Sequence, residues 1–301
     1  FGYDFSRFRP VELNQTTFWS MRFNQGFSFL TTLLITLGLL GILAVLFLIF
    51  SFIRQGLRTW KDERSLIVFS GIFFLAINLF FYPASFVQLL FIFLGLGLLA
   101  IDSGTSFEME FYSPSKLQNF RSFIVFPGII LLLSFSLFSL YLTGQKYAAA
   151  VYYEKGLQSS SLAQSLSRID KAVRLDSQSD QYLRALSQVR LSQANELAKT
   201  PSPQKNIQDL QNQFQNIIAS AINAARRATE LNSADSSNWS NLANVYENIM
   251  AFVGGAEALA QQNYKKAMAL DPKNPQAPVD LARTLIVSAD QSQARNETEL
   301  W

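Results

Sequence analysis

The join near residue 143 separates two kinds of sequence, and it constrains the fold more than any other feature of this chain. Before the join lie four long apolar stretches, and the first of them carries no charged residue. A helix of about 20 apolar residues is long enough to cross a bilayer, so each stretch is predicted to be a membrane-spanning helix. The four stretches are residues 27–53, 65–82, 84–101 and 123–142.

After residue 143 the sequence is polar and rich in Ala, Gln and Ser, and its apolar residues recur at helical spacing. We therefore expect an all-α protein in three parts: a loop segment at 1–26, a transmembrane domain of four helices at 27–143 and a soluble helical domain at 144–301. No signal-peptide pattern opens the chain at Phe1. This start predicts that the chain is the C-terminal portion of a longer protein.

Composition excludes several classes of site. The 301 residues include no Cys and no His, which removes disulfides, Ser/His/Asp triads, cysteine chemistry and the common zinc sites. The formal net charge of +3 is spread over both halves and forms no dense basic stripe. Nucleic-acid binding requires such a stripe, so a nucleic-acid partner is not expected.

Loop charge predicts the orientation of the chain in a membrane. The second and third apolar stretches are predicted to form a helical hairpin, with its turn at Tyr82-Pro83. The connection at 54–64 carries four basic residues, whereas this turn carries none. Basic loops tend to remain in the cytoplasm. The segment 1–26 and the domain 144–301 are therefore predicted to lie on the opposite, outer side.

This orientation places Arg7, Arg9 and Arg22 outside, against the usual distribution of basic residues. Guanidinium groups gathered there indicate an anionic ligand, because they bind phosphates and carboxylates with charge-assisted hydrogen bonds. A loop held by salt bridges to Asp4 and Glu12 would explain the same arginines without a ligand.

The stretch Arg22-Phe23-Asn24-Gln25-Gly26-Phe27-Ser28 precedes a helix that contains Gly38-Leu39-Leu40-Gly41. This arrangement resembles the end of the large periplasmic loop and the following helix of the O-antigen ligase and polymerase superfamily. Phe27 stands where the ligases carry a His, whereas the polymerases rely on arginines of their periplasmic loops.

The resemblance implies an enzyme of bacterial cell-envelope polysaccharide assembly that transfers a glycan from a lipid-linked oligosaccharide on a polyprenyl-pyrophosphate carrier, without metal or cofactor. It implies a multi-pass protein of the bacterial cytoplasmic membrane. Arginines would stabilise the leaving pyrophosphate, and a carboxylate, Glu12 or Asp4, would accept a proton from a sugar hydroxyl. The implied catalytic residues are Arg9, Arg22 and Glu12, and the implied substrate-binding residues are Arg7, Asn24 and Ser28.

Some polar and small residues of the apolar stretches also have a purely structural interpretation. Small residues let neighbouring membrane helices approach closely, and amides form hydrogen bonds between helices. The residues interpreted in this way are the glycines Gly38, Gly41, Gly95 and Gly97 and the amides Asn78 and Gln88.

The polar half contains degenerate repeats. Its best copy reads Trp239-x2-Leu242-Ala243-x2-Tyr246 and then Ala260-x3-Tyr264-x2-Ala267-x2-Leu270-Asp271-Pro272. This order of large and small residues is similar to a tetratricopeptide repeat (TPR). Two further helix endings, after Ala172 and Ala228, repeat the spacing Ala-x2-Leu-Asp/Asn. A plain helical bundle is the alternative.

The sequence leaves two functions open. The first is the glycan-transferring membrane enzyme with a TPR domain attached. The second is a non-enzymatic membrane-anchored scaffold that presents TPRs to a protein or peptide partner, since repeat arrays supply concave binding surfaces. Both functions place the chain in a lipid bilayer.

Overall fold

The computed structural model describes residues 6–17, 26–58, 62–102, 116–199 and 207–299, and in these ranges the chain is helical and contains no strand. A short 3-10 helix at Val11–Gln15 comes first. The α-helices that follow are α1 (Phe29–Arg58), α2 (Glu63–Phe81), α3 (Phe86–Asp102), α4 (Lys116–Leu157), α5 (Leu162–Leu175), α6 (Asp180–Lys199), α7 (Ile207–Leu231), α8 (Ser236–Asn248), α9 (Ala256–Leu270) and α10 (Gln276–Glu299).

The chain forms two compact units whose limits differ from the predicted domain boundaries. The first unit contains the described residues of 21–128. The second contains those of 6–20 and 129–301. The segment 6–17 therefore belongs to the same unit as the polar half of the chain. We refer to this polar half below as the tail.

All four predicted apolar stretches are helical. Three helical regions, Thr36–Leu57, Glu63–Phe81 and Pro127–Leu157, are long and apolar enough to cross a membrane. The apolar part of α3, Phe86–Leu99, is shorter, so four membrane crossings stay a prediction. The fourth helix is longer than its predicted apolar stretch, because α4 already begins at Lys116 and contains Pro127 in its interior.

The helices α2 and α3 form the predicted hairpin, and its packing tests the structural interpretation of the small residues. A Cβ on Gly95 would lie 2.5 Å from Cγ1 of Ile72, so close helix approach is confirmed there. Gly38 plays a different part, because it breaks the helical backbone of α1 at φ 61° and ψ −164°. A left-handed φ of this kind favours glycine.

The two amides of this hairpin also differ. The side chain of Gln88 donates to the carbonyl of Leu75 at 2.9 Å, which confirms a hydrogen bond between α3 and α2. Asn78 instead donates to the carbonyl of Phe74 on its own helix at 2.8 Å. The prediction of an interhelical bond was therefore wrong for Asn78.

The tail consists of helical hairpins joined by three equivalent corners. Ala172, Ala228 and Ala267 are each fully buried, as the repeat spacing predicts. The carbonyl of each alanine accepts a hydrogen bond from the backbone N–H of the Asp or Asn four positions later, at 3.0, 3.1 and 3.0 Å. That residue in turn accepts, through its backbone carbonyl, from the N–H three positions further on. The corner thus repeats in geometry as well as in sequence.

The best repeat copy packs as predicted except at Trp239. Leu242, Tyr246 and Tyr264 are 5%, 4% and 1% exposed. The indole of Trp239 is only partly buried, with its Nε1 donating to the carbonyl of Ser233 at 2.8 Å and the ammonium of Lys266 lying 3.7 Å from its ring centroid. The two tyrosines are therefore buried more completely than Trp239.

Candidate functional site

The helices α6 and α8 open successive hairpins and contact each other, and amide side chains connect them. Gln188 on α6 donates to the side-chain oxygens of Asn241 at 2.6 Å and Asn244 at 3.3 Å on α8. Asn241 donates to the hydroxyl of Ser187 at 2.8 Å. Groups that offer both donors and acceptors therefore run along one face of both helices.

A cavity of about 380 Å³ continues this face towards α10. Asn248 extends the amide row of α8 and is exposed. We refer to the amides Gln188, Asn241, Asn244 and Asn248 together with the cavity as the inner groove. The cavity is lined by Asn244, Glu247, Asn248, Met250, Arg283 and Val287.

Glu247 is the charged centre of this cavity. Arg283 donates to its two carboxylate oxygens at 2.7 and 3.0 Å, and the hydroxyl of Tyr264 donates at 2.6 Å. Burial alone would raise the pKa of Glu247 and is the largest single influence. The hydrogen bonds from Arg283 and Tyr264, with the charge of Arg283, together outweigh burial and lower the pKa. The carboxylate is thus ionised and paired with Arg283 at neutral pH.

Burial and the neighbouring carboxylate act in the opposite direction on Tyr264. Both raise the pKa of its phenol, so Tyr264 remains a neutral donor. The ion pair also raises the pKa of Arg283, with the hydrogen bond to Glu247 as the largest cause. The cavity therefore carries an ion pair, whose Arg283 also contacts the carboxylate of Asp280 at 3.1 Å, and a row of neutral amides.

A second polar cluster lies at the beginning of α6 and α8. Arg184 donates to carboxylate oxygens of Asp180 at 3.3 Å and Asp235 at 3.0 Å. Asn238 is fully buried, and its amide donates to Asp180 at 2.8 Å and to the carbonyls of Ala228 at 3.1 Å and Asn232 at 2.9 Å. This cluster fixes the relative position of the two helices that carry the amides.

Arg9 has a structural environment. It is 6% exposed, and its Nη2 lies 3.7 Å from Oδ1 of Asp271 at the third corner of the tail. The salt-bridge alternative therefore describes Arg9, with Asp271 as a partner that the sequence did not suggest; Asp4 lies outside the described residues. Arg7 and Glu12 are exposed on either side of it.

The remaining candidate residues lie elsewhere. Ser28 belongs to the other unit, where it is 2% exposed and its hydroxyl accepts from the N–H of Thr31 at 3.2 Å, as a helix-capping residue does. Arg22 and Asn24 lie outside the described residues. No group of His, Cys, Asp and Glu side chains that could hold a metal ion occurs in the described ranges.

The inner groove did not emerge from the sequence interpretation. A signal existed, because asparagines recur at 238, 241, 244 and 248, a spacing that puts them near one face of a helix. The positions of Glu247 and Arg283 had no such signal, since 36 residues separate them.

No family model and no curated protein matches this chain. Among solved structures, the TPR domain of Arabidopsis OM64 is similar, with 14% identity and a TM-score of 0.35. The matched region covers 46% of this chain and 96% of that domain. A similarity at this level leaves the function open, and the resemblance to the O-antigen ligase and polymerase superfamily stays a hypothesis.

Proposed function

We propose that this protein is a membrane-anchored TPR scaffold whose inner groove binds an extended segment of a protein partner. The observation that carries this proposal is the row of amides across α6 and α8. Asn and Gln side chains have both a donor and an acceptor, so they can pair with the N–H and C=O groups of an extended peptide. Helical repeat arrays commonly use such faces for protein partners.

The charges of the groove favour a particular kind of peptide. Its carboxylate, Glu247, shares Arg283 with Asp280, and the amide row is neutral. An acidic peptide would meet the excess negative charge of this cluster, and a peptide charged with either sign would lose hydration on binding. The partner segment is therefore an extended peptide with few charges.

A peptide array tests this proposal. The full-length protein in detergent should bind a subset of uncharged peptides on an array of varied sequences. The variant Asn244→Ala/Asn248→Ala should lose that binding. Arg227→Ala is the matched control, because Arg227 is half-exposed on α7 and bonded to Glu230 of the same helix. Binding that survives the asparagine substitutions, or that selects charged peptides, would contradict the proposal.

The proposed location is a bacterial cytoplasmic membrane, with the segment 1–26 and the tail on the extracytoplasmic side. Two features support it: three helices of membrane-spanning length and character, and the basic connection at 54–64. The helix α4 also runs without interruption from apolar sequence into the tail, ending at Leu157. There its Gly156 contacts Ile169 of α5 so closely that an added Cβ would lie 2.7 Å from the Ile169 side chain.

Glycan transfer from a lipid-linked oligosaccharide is the second candidate function. Arg7 and Glu12 are exposed, which leaves both accessible to a pyrophosphate and a sugar hydroxyl. In the host cell, Arg7→Ala and Arg22→Ala would each reduce envelope glycan chain length at unchanged membrane abundance. Normal glycan in both variants would remove this candidate and leave the scaffold.

A further inference from the structure

The segment 6–17 packs against the third corner of the tail, although more than 250 residues separate them in sequence. Asn14 donates from its side-chain nitrogen to the carbonyl of Lys273 at 2.8 Å. Arg9 forms its ion pair with Asp271, the residue that follows α9 and caps its C-terminus. These contacts lie within one compact unit of the protein.

Burial gives the Arg9–Asp271 pair its significance. The two side chains are 5% and 4% exposed. A buried charge that loses its partner is strongly destabilising, whereas an exposed ion pair contributes little. At the two equivalent corners, Asp176 and Asn232 are only partly buried. Docking of the segment therefore accompanies the burial of Asp271, and this corner depends on Arg9.

The first unit supplies an independent constraint on the path of the chain. The N–H of Phe29, where α1 begins, donates to the carbonyl of Tyr82, where α2 ends, at 3.1 Å. The start of α1 and the turn between α2 and α3 are therefore neighbours. If α1 crosses a membrane, α2 must cross back to the side on which the chain started.

The packing of α3 against α2 determines what happens next. Gly95 of α3 lies beside Ile72 of α2, and one turn further along α3 the side chain of Leu99 is 1% exposed. The helix α3 thus runs back along α2 towards its beginning. Its 17 residues span about 26 Å, close to the roughly 30 Å of a hydrocarbon core.

We infer that the segment 6–17 is a structural part of the tail, and that the chain crosses the membrane an even number of times, with α3 as a true crossing. This inference rests on the membrane location proposed above. Three crossings would put Arg9 and Asp271 on opposite faces of the bilayer, where they could not meet. Four crossings bring both to one face.

Single-cysteine labelling tests the crossings, since the chain contains no Cys of its own. Glu12→Cys, Lys273→Cys and Arg64→Cys are placed one at a time in the full chain, all at exposed positions. With an impermeant maleimide, the first two should react in intact cells, and Arg64→Cys only after permeabilisation. Reaction of Glu12→Cys and Lys273→Cys under opposite conditions would overturn the inference.

The other outcomes separate this inference from the proposed location. In one of them, Glu12→Cys and Lys273→Cys react only after permeabilisation, whereas Arg64→Cys reacts in intact cells. This result would keep an even number of membrane crossings and reverse the proposed orientation. If alkaline carbonate extracts the protein from membranes, the proposed membrane location is wrong, and so is the inference about crossings.

Cross-linking tests the docked segment. A bismaleimide should join Glu12→Cys to Lys273→Cys in native membranes. Arg9→Asp or Asp271→Arg alone should reduce the cross-link several-fold, and the double charge reversal should restore it. Arg7→Asp is the matched control, because Arg7 is an exposed neighbour of Arg9 and its reversal should leave the cross-link unchanged. Equal yields in both single reversals and the wild type would overturn the docking.

Discussion

The apolar helices and the tail bury their side chains in opposite ways. In the tail, alanines such as Ala228 and the large side chain of Tyr264 are almost completely buried. On the apolar helices, large side chains such as Leu40 and Phe86 are 82% and 80% exposed. Exposed apolar surface of this extent is unfavourable in water. The tail therefore covers most of its apolar side chains by its own packing, whereas the apolar helices leave many of theirs exposed.

The buried polar groups show the same difference. The tail buries the amide of Asn238 and the ion pair of Arg9 with Asp271, and it partly buries the ion pair of Arg184 with Asp235. The buried cluster between α2 and α3 consists of Ile72, Ile92 and Leu99, and is apolar. Specific polar partners therefore position the helices of the tail, whereas the hairpin combines this apolar cluster and the close approach at Gly95 with the bond from Gln88 to Leu75.

The largest expected effect is on the core of the tail. Tyr264→Ala should destabilise the tail by about 3–5 kcal/mol, because truncation of a buried aromatic ring removes contacts and leaves a cavity. Hydrogen exchange of the full-length protein in detergent, followed peptide by peptide, measures the loss in α8–α10. Leu40→Ala on an exposed apolar face is the control. A comparable loss of protection around Leu40 would break the comparison between the two regions.

Asn238→Ala should have the next largest effect. It leaves the carbonyls of Ala228 and Asn232 and the carboxylate of Asp180 without this donor, at about 1–3 kcal/mol for buried groups that lose a partner. The loss of stability is measured by urea denaturation, with amide hydrogen exchange of peptides from the tail as the signal. The exposed Asn248→Ala should stay within about 0.5 kcal/mol of wild type. Equal effects of the two substitutions would mean that buried amides do not position these helices.

Gly95→Ala should have a smaller effect. It should destabilise the packing of α3 against α2 by about 1 kcal/mol, because the added methyl group overlaps Ile72. Gly97→Ala is the matched control, since a Cβ there meets no atom within 4 Å. Thermal unfolding of the hairpin distinguishes the two variants. It is measured in lipid nanodiscs by amide hydrogen exchange of residues 63–102. If Gly97→Ala destabilises as much as Gly95→Ala, the close approach at Gly95 does not position the hairpin.

The smallest effect is a pH dependence confined to the tail. The folded-state pKa of Glu247 lies below its ordinary value of 4.5, so its ionised form stabilises the tail at neutral pH. That stabilisation is lost as the pH falls through the folded-state pKa. The melting temperature of the tail should therefore fall in acid more steeply than in Glu247→Gln. If the melting temperature falls equally with pH in the two proteins, the ionisation of Glu247 does not contribute to the stability of the tail.

The corners of the tail were predictable because they depend on local spacing. The predicted helix endings after Ala172, Ala228 and Ala267 agree with the ends of α5, α7 and α9. The inner groove was harder to predict from the sequence. Its asparagines share a visible helical spacing, but Arg283 reaches Glu247 only after the α10 helix packs against α9. A sequence carries no direct mark of such a meeting.

The sequence by itself determined which segments are apolar and helical, where the helices before the corners end, and which alanines are buried there, because hydrophobic periodicity and capping act over a few residues. Tertiary structure decided the partners. It paired Arg9 with Asp271 across most of the chain, turned Trp239 towards Lys266 and gave Gln88 an interhelical bond that it withheld from Asn78. Side chains of the same type take different partners because the geometry of packed helices, rather than residue type, sets which groups come within hydrogen-bonding distance.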